Sequence, residues 1–101
     1  MNLVYLNNSI MITKTNNIKI LSYKFQKLYY AILINNCNSY SSILNKQRID
    51  VVMVDDKYKV LSIKREMHEN TIFEDKRASN IILLPLNTFK DLKENEYLSI
   101  V

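Results

Sequence analysis

The 101-residue chain contains no glycine, although glycine makes up about 7% of an average protein. Phosphate-binding loops, dinucleotide-binding motifs and the nucleophile elbow of hydrolases depend on glycine, because their backbone approaches a ligand closely or adopts positive φ. The usual forms of these sites are therefore excluded. Left-handed turns must instead use Asn and Asp, which tolerate positive φ well. Pairs of these residues separate apolar segments at Asn7-Asn8, Asn16-Asn17, Asn35-Asn36 and Asp55-Asp56.

Cysteine and long apolar runs are also scarce. Cys37 is the single cysteine, so no internal disulfide can form, and nothing in the sequence indicates an oxidising compartment. The longest apolar runs, such as Ile81 to Leu84, are far shorter than the roughly 20 residues of a transmembrane helix. Residues 1–12 lack the basic start and the small-residue cleavage site of a secretory signal. We therefore expect a soluble, cytoplasmic protein that has no membrane partner.

Acidic residues are missing from the first half of the chain, where Asp50 is the first Asp or Glu. The six basic residues before Asp50 give this half a charge of +6, whereas the remaining eight are outnumbered by the ten acidic residues, which gives −2. Such a bias can attract an acidic partner or a phosphate backbone, although the surface field depends on how both halves fold. An ordinary solvated surface is the simpler explanation.

Short β-prone runs between polar turns predict a sheet. These runs are Leu3 to Leu6, Ile10 to Ile12, Ile18 to Leu21, Ala31 to Ile34, Ile49 to Val54, Val60 to Ile63, Ile81 to Leu84 and Tyr97 to Val101. The first three predict an antiparallel meander. The fifth and sixth predict a hairpin, and both of its strands are expected at the centre of the sheet. The last run is a candidate edge strand, through which a homodimer could form.

A first short helix is predicted after Ser22, which is a suitable N-cap residue. Phe25, Leu28 and Tyr29 follow at spacings of three and four, so they share one apolar face. This face is expected to pack against the sheet.

A second short helix is predicted from Thr88 to Glu94, because Thr88 and Asp91 have the spacing of a capping pair. With both helices, the sequence predicts an α+β fold that forms one β-rich domain over residues 1–101. The sheet is expected to be mainly antiparallel or a partly closed barrel.

Several segments carry a resemblance to a known family. They are the loop Cys37-Asn38-Ser39, the strand Ile49-Asp50-Val51-Val52 with the turn residue Asp55, the return strand Lys59 to Ile63, and the run Ile81 to Pro85 with Thr88. Through them the chain resembles bacterial members of the domain of unknown function 192 family over residues 22–101, most strongly over 37–63 and 81–92. The resemblance implies a compact β-rich fold.

Several signature residues of that family, polar and otherwise, are absent from this chain. Ser41 stands in place of a histidine, Asn45 in place of a methionine and Arg48 in place of a proline. This pattern indicates a scaffold that has lost its original site. Because the family has no established activity, the resemblance implies no catalytic, cofactor or metal residues. Enrichment in Asn, Ile, Lys and Tyr suggests AT-rich coding, and hence a bacterial host or a mobile element.

Candidate catalytic groups are few. Cys37 and His68 could form a nucleophile and base, but they lie in different segments and no third group is indicated. One Cys and one His also fall short of the four ligands of a structural zinc site. Asp50 and Asp55 would lie roughly 16 Å apart along a strand. We therefore expect no enzymatic activity and no cofactor, with a degenerate enzyme that retains Cys37 chemistry as one alternative.

Contact with another macromolecule is the favoured function. Tyr40, Ile43, Leu44 and Arg48 lie in or beside a polar loop and are candidate contacts for a protein partner, since aromatic residues are enriched in interfaces. The same apolar residues could instead be buried. The preferred hypothesis is a protein-interaction module that acts as an inhibitor or accessory protein.

Nucleic-acid binding is the other alternative. Tyr23 and Tyr30 alternate with Lys24 and Lys27, and this mixture suits base stacking beside phosphate contacts. The signal is compositional, and the predicted helix would bury some of these rings.

Overall fold

The computed structural model describes residues 31–42, 47–68 and 70–99, together with the backbone of 2–6 and 10–16. Within these residues the chain forms eight strands. They are β1 (Asn2–Leu6), β2 (Ile10–Asn16), β3 (Ala31–Asn35), β4 (Ser39–Ser41), β5 (Ile49–Val54), β6 (Val60–Met67), β7 (Ile72–Glu74) and β8 (Asn80–Pro85). No helix that is long and apolar enough to cross a membrane is found in this part of the chain.

The strands form a six-stranded sheet and a two-stranded ribbon. The order of the large sheet is β1-β2-β3-β8-β5-β6, and the ribbon pairs β4 with β7. All pairs are antiparallel except β2 and β3, which run parallel with Ile12 opposite Ala31. Strand β8 therefore lies between two strands that precede it in the sequence, which links distant parts of the chain through β3 and β5.

Both faces of the large sheet are buried at its three strands β3, β5 and β8, which are apolar at nearly every position. One cluster consists of Ala31, Leu33, Val52, Val54, Val60, Ile82, Leu84, Leu92 and Leu98. The other consists of Ile32, Ile34, Tyr40, Ile49, Val51, Met53, Met67, Ala78, Ile81 and Leu83. Residues 86–99 cover the first face and the β4–β7 ribbon covers the second.

The predicted α+β class is wrong for the part of the chain that the structure describes, where every regular element is a strand. Residues 88–94 form turns instead of a helix. Thr88 Oγ1 donates to Pro85 O at 2.6 Å, so it does not cap a helix. The guanidinium of Arg65 donates to the carbonyls of Phe89 and Lys90, at 3.0 and 3.4 Å, and a helix from Thr88 to Glu94 would use these two carbonyls for its own hydrogen bonds. The helix predicted after Ser22 lies outside the described residues.

The expected partly closed barrel is also wrong. Strands β1 and β6 are the two ends of the large sheet, and no strand pair in the described residues joins them. The predicted hairpin is confirmed by the antiparallel pairing of β5 and β6. Both strands of this hairpin were expected at the centre of the sheet. This position is confirmed for β5 only, because β6 lies at an end of the sheet.

The N-terminal meander is confirmed for its first pair of strands, β1 and β2. Its third run, Ile18 to Leu21, lies outside the described residues. The terminal strand predicted from Tyr97 is reduced to a bridge, in which Tyr97 lies opposite Lys59. Residues 100–101 lie outside the described part. The sequence prediction missed β4 and β7.

Left-handed backbone positions confirm the expected use of asparagine in place of glycine, whereas Asp55 and Asp56 do not adopt positive φ. Positive φ occurs in the described residues at Asn36, Tyr58, Glu66, Asn70, Asn87 and Asn95. Asparagine tolerates this region through local hydrogen bonds of its short side chain. Tyr58 and Glu66 pay a conformational cost, and they are candidates for stabilising substitutions.

Candidate functional site

The candidate protein-contact residues occupy different environments. Tyr40 is 1% exposed and belongs to the apolar cluster beneath the ribbon, so its ring is a core side chain. Arg48 is exposed directly before β5. Ile43 and Leu44 lie outside the described residues, as do the candidate nucleic-acid contacts Tyr23, Lys24, Lys27 and Tyr30.

Cys37 and His68 are far apart. Cys37 N donates to Ser79 O, and Ser79 N donates to Val54 O at the end of β5. His68 follows the β6 residue that lies opposite Ile49, at the start of β5. Five residues of strand separate these ends by roughly 16 Å. The two side chains therefore do not form a nucleophile and base pair, and Cys37 Sγ instead donates to Ser39 O at 3.1 Å.

Asp50 forms a buried clamp with Arg65. Its carboxylate, whose side chain is 4% exposed, accepts from Arg65 Nη1 at 3.2 Å and from Glu66 N at 2.9 Å. Since Arg65 also donates to backbone carbonyls of residues 89–92, the clamp joins the β5–β6 hairpin to the segment that covers one face. Asp50 therefore has a structural role in this arrangement.

Asp55 organises the turn of the hairpin, as the sequence predicted. Its Oδ1 accepts hydrogen bonds from Lys57 N and Lys59 N, each at 2.9 Å. These bonds, the one from Lys59 above all, lower the pKa of the Asp55 carboxyl. A third carboxylate, Asp75, lies in the turn after β7.

Asp75 fastens the ribbon to the large sheet. It accepts two side-chain hydrogen bonds from Arg77, at 3.0 and 2.8 Å, and one from Ser62 of β6 at 2.9 Å. The hydrogen bonds from Arg77, and then that from Ser62, lower the pKa of Asp75 to about 2. Within the described residues, no group of three His, Cys, Asp or Glu side chains is arranged to hold a metal ion.

Hydroxyl groups fasten the other end of the ribbon. Ser42 Oγ lies 2.6 Å from His68 O and accepts from Thr71 N at 3.0 Å. Thr71 Oγ1 donates to the same carbonyl of His68 at 2.6 Å. Because Ser42 is buried, these bonds are shielded from water. The ribbon is thus held to β6 and its following turn at both ends, and its position over the sheet is fixed.

The hydrogen-bond register of the ribbon determines which backbone groups of β7 point away from β4. Ser42 N donates to Thr71 O at one end and Asp75 N donates to Asn38 O at the other. Hydrogen-bonded pairs alternate along an antiparallel ladder, so Tyr40 and Phe73 form the pair between them. The backbone N–H and C=O groups of the intervening β7 residues therefore point away from β4.

Those intervening residues are Ile72 and Glu74, and both side chains are exposed. Ile72 is 73% exposed, the highest value among the large apolar residues of the described part. Within the residues that the structure describes, β7 pairs with β4 alone, and no hydrogen bond joins the outward groups of these two residues to another part of the chain. We define Ile72, Glu74 and their outward backbone groups as the β7 edge.

The β7 edge was not predicted from the sequence. The signal was present in Thr71-Ile72-Phe73, a β-branched and aromatic run that Asn70 and Asp75 separate from its neighbours. Three residues are too few for strand periodicity to be recognised, and the partner strand β4 consists of two serines around a tyrosine. The edge exists only because distant hydrogen bonds hold the two segments together.

Neither a known family model nor a curated protein matches the sequence. The fold is similar to that in a crystal structure of a protein of unknown function from Novosphingobium aromaticivorans DSM 12444. The alignment has a TM-score of 0.73 and covers 96% of this chain and 83% of that chain, with 8% sequence identity. At this identity the likeness establishes a shared fold and nothing about activity.

Proposed function

We propose that the protein is a small, non-enzymatic interaction module that binds a protein partner and acts as an inhibitor or accessory protein. The observation that carries this proposal is the β7 edge, where an exposed isoleucine adjoins outward backbone groups on a ribbon of fixed position. Exposed strand edges are a common place for pairing with another chain. The polar clusters of Asp50, Asp75 and Ser42 already serve to hold the covering segments in place.

A divergent relationship to the domain of unknown function 192 family is part of the same proposal. The residues that carry the resemblance lie at structural positions: Asp50 in the clamp, Asp55 in the hairpin turn, and the Leu84-Pro85 pair at the end of β8. Retention of such residues, without the polar signatures of the family, fits a scaffold that now acts by contact. We place the protein in the cytoplasm of a bacterium or among the products of a mobile element.

An affinity pull-down from native cell extract tests the proposed function. The tagged protein is compared at low and at high salt after nuclease treatment, alongside Ile72→Lys and the matched control Tyr97→Lys. Tyr97 is the other exposed large apolar residue in the described part, at 64%, and it lies on a different segment. We expect a salt-resistant protein partner that the Ile72→Lys variant loses and the Tyr97→Lys variant keeps.

Two outcomes contradict the proposal. Recovery of nucleic acid alone, lost at high salt, would favour the alternative that places binding at Lys24 and Lys27, because phosphate contacts weaken steeply as salt rises. If both variants retain the partner, the β7 edge does not take part in the interaction.

A further inference from the structure

We infer that the β7 edge binds its partner by strand addition, and that it selects an extended segment with an apolar residue and a basic residue two positions apart. This inference rests on the proposed function and specifies its mode. In strand addition, main-chain hydrogen bonds hold the partner and alternate side chains determine which segment fits.

The backbone provides the first part of the argument. Ile72 and Glu74 each direct one N–H and one C=O outward, so an antiparallel segment can form two hydrogen-bonded pairs with β7. Phe73 between them is committed to β4 and packs against the apolar cluster below the ribbon. The added strand would therefore extend the ribbon from two strands to three without disturbing its existing ladder.

The side chains provide the second part. Ile72 and Glu74 are two residues apart, so they project from the same face of the ribbon, and both are exposed. Residues directly opposite on a neighbouring strand contact each other, and apolar pairs and opposite charges are favourable there. A partner with a β-branched or aromatic residue opposite Ile72 and Lys or Arg opposite Glu74 satisfies both positions.

A second copy of this chain fits the β7 edge poorly. In the self-pairing register that uses the outward groups of both residues, a two-fold axis at Phe73 would set the Ile72 of each copy opposite the Glu74 of the other. That arrangement brings a carboxylate against an apolar side chain twice. The charge pattern therefore favours a different protein over a homodimer at this edge.

The end strand β6 offers a useful contrast as a competing edge. Val60 donates through its N–H to Glu96 O and accepts from Asn95 N, so this part of β6 is already occupied. Arg77 Nη2 reaches Leu61 O at 3.5 Å. The remainder of β6 carries exposed charged residues, from Lys64 to Glu66, and such residues discourage strand pairing.

Defined peptides test the inference by NMR on the full chain. The probe is a capped heptapeptide, Ser-Thr-Lys-Thr-Val-Thr-Ser, in which Lys and Val take the places opposite Glu74 and Ile72 in an antiparallel pairing. A second peptide has Glu in place of Lys, and a third carries N-methyl groups on the Lys and Val amides. We expect the largest amide shifts at Ile72 and Glu74, and at least tenfold weaker binding of the N-methylated peptide.

Variants of the protein separate strand addition from other contacts. Ile72→Pro removes an outward donor and leaves the Tyr40–Phe73 pair intact, so it should weaken binding at least fivefold. Glu74→Lys should reverse the preference, so that the peptide with Glu binds more tightly than the peptide with Lys. Tyr97→Lys should bind as the unaltered protein does.

Several results would overturn the inference. These are no shifts at millimolar peptide, shifts centred on another strand, equal binding of the N-methylated peptide, or a dimer in sedimentation that Ile72→Pro dissociates. If the pull-down partner depends on Ile72 while the peptides do not bind, the interaction module stands and strand addition fails. If neither the partner nor the peptides depend on Ile72, both proposals fail.

Discussion

The two faces of the large sheet are covered by segments that are held by different chemistry. Residues 86–99 are held by a buried carboxylate and a guanidinium, through Asp50 and Arg65. The β4–β7 ribbon is held by hydroxyl groups at Ser42 and by the more exposed pair of Asp75 and Arg77. Residues 86–99 have no helix or strand, and the ribbon has only a short ladder of its own, so both covers need attachment to the sheet by polar side chains.

The different attachments predict which side-chain substitutions destabilise each covering segment. A buried charge that loses its partner is costly, whereas a lost hydroxyl costs less and an exposed ion pair contributes little. The cover at residues 86–99 should therefore depend strongly on one side-chain pair, in addition to its backbone hydrogen bonds to Tyr58 and Val60. The ribbon should depend on several weaker bonds, which suits a segment that carries an exposed binding edge.

Substitution of Arg65 should have the largest effect on stability. Arg65→Met leaves the Asp50 carboxylate buried with only the Glu66 amide as a donor, so we expect a loss of about 3 kcal/mol in the free energy of unfolding. Urea denaturation measures this change. Arg77→Met is the matched control on the other cover and should cost less than about 1 kcal/mol, because Arg77 is 67% exposed. Similar losses of unfolding free energy in Arg65→Met and Arg77→Met would contradict the proposed difference between the two covering segments.

Removal of the Ser42 hydroxyl should have an intermediate effect. Ser42→Ala leaves Thr71 N without its acceptor in a buried place, and we expect a loss of about 1.5 kcal/mol. Hydrogen exchange should show faster exchange in β7 than in β8, because the ribbon is loosened and the large sheet is not. Uniform acceleration across both sheets would indicate that the ribbon is no separate unit.

Relief of backbone strain should give a smaller effect of opposite sign. Glu66 has φ 47° and its side chain is exposed, so Glu66→Asn keeps the hydrogen bond from its N–H to Asp50 and suits the left-handed backbone. We expect a gain of about 0.5 kcal/mol, measured by thermal denaturation. Lys64→Asn at a neighbouring exposed position is the control and should not stabilise the protein.

The pH dependence of the ribbon is expected to be modest, because solvent around the exposed Arg77 screens its interaction with Asp75. Since hydrogen bonds from Arg77 lower the pKa of Asp75 from 3.8 to about 2, the folded state favours the ionised carboxyl. The resulting stabilisation is present above pH 3.8 and is lost as the pH falls towards 2. The difference in unfolding free energy between the unaltered protein and Asp75→Asn should therefore shrink over this range. A constant difference would mean that Asp75 acts by packing alone.

Much of the large sheet could be predicted from local sequence. Val51 to Val54 and Ile81 to Leu84 are continuous apolar runs, and burial on both faces explains why they do not alternate with polar residues. The hairpin followed from two such runs around Asp55, whose side chain accepts the turn amides. The β7 edge could not be predicted in this way, because its strands are short and its partner lies some thirty residues earlier.

The outcome at Thr88 shows why local signals fail. Thr88 and Asp91 have the spacing of a capping pair, and nothing nearby in the sequence opposes a helix. The competing interaction comes from Arg65, far away along the chain, which takes carbonyls that a helix would use. Likewise, Tyr40 lies in a polar loop by sequence and is buried because β7 closes over it.

The sequence by itself determined the β-rich character of the chain, the hairpin at Asp55 and the use of asparagine where other proteins use glycine. These features depend on apolar runs and on backbone preferences that act over a few residues. The tertiary structure was needed to show that β8 lies between β3 and β5, that Arg65 binds the segment from residue 86 to 99, and that β7 pairs with β4 alone among the described residues. Such features depend on hydrogen bonds between residues that are distant in the chain, and no local pattern specifies their partners.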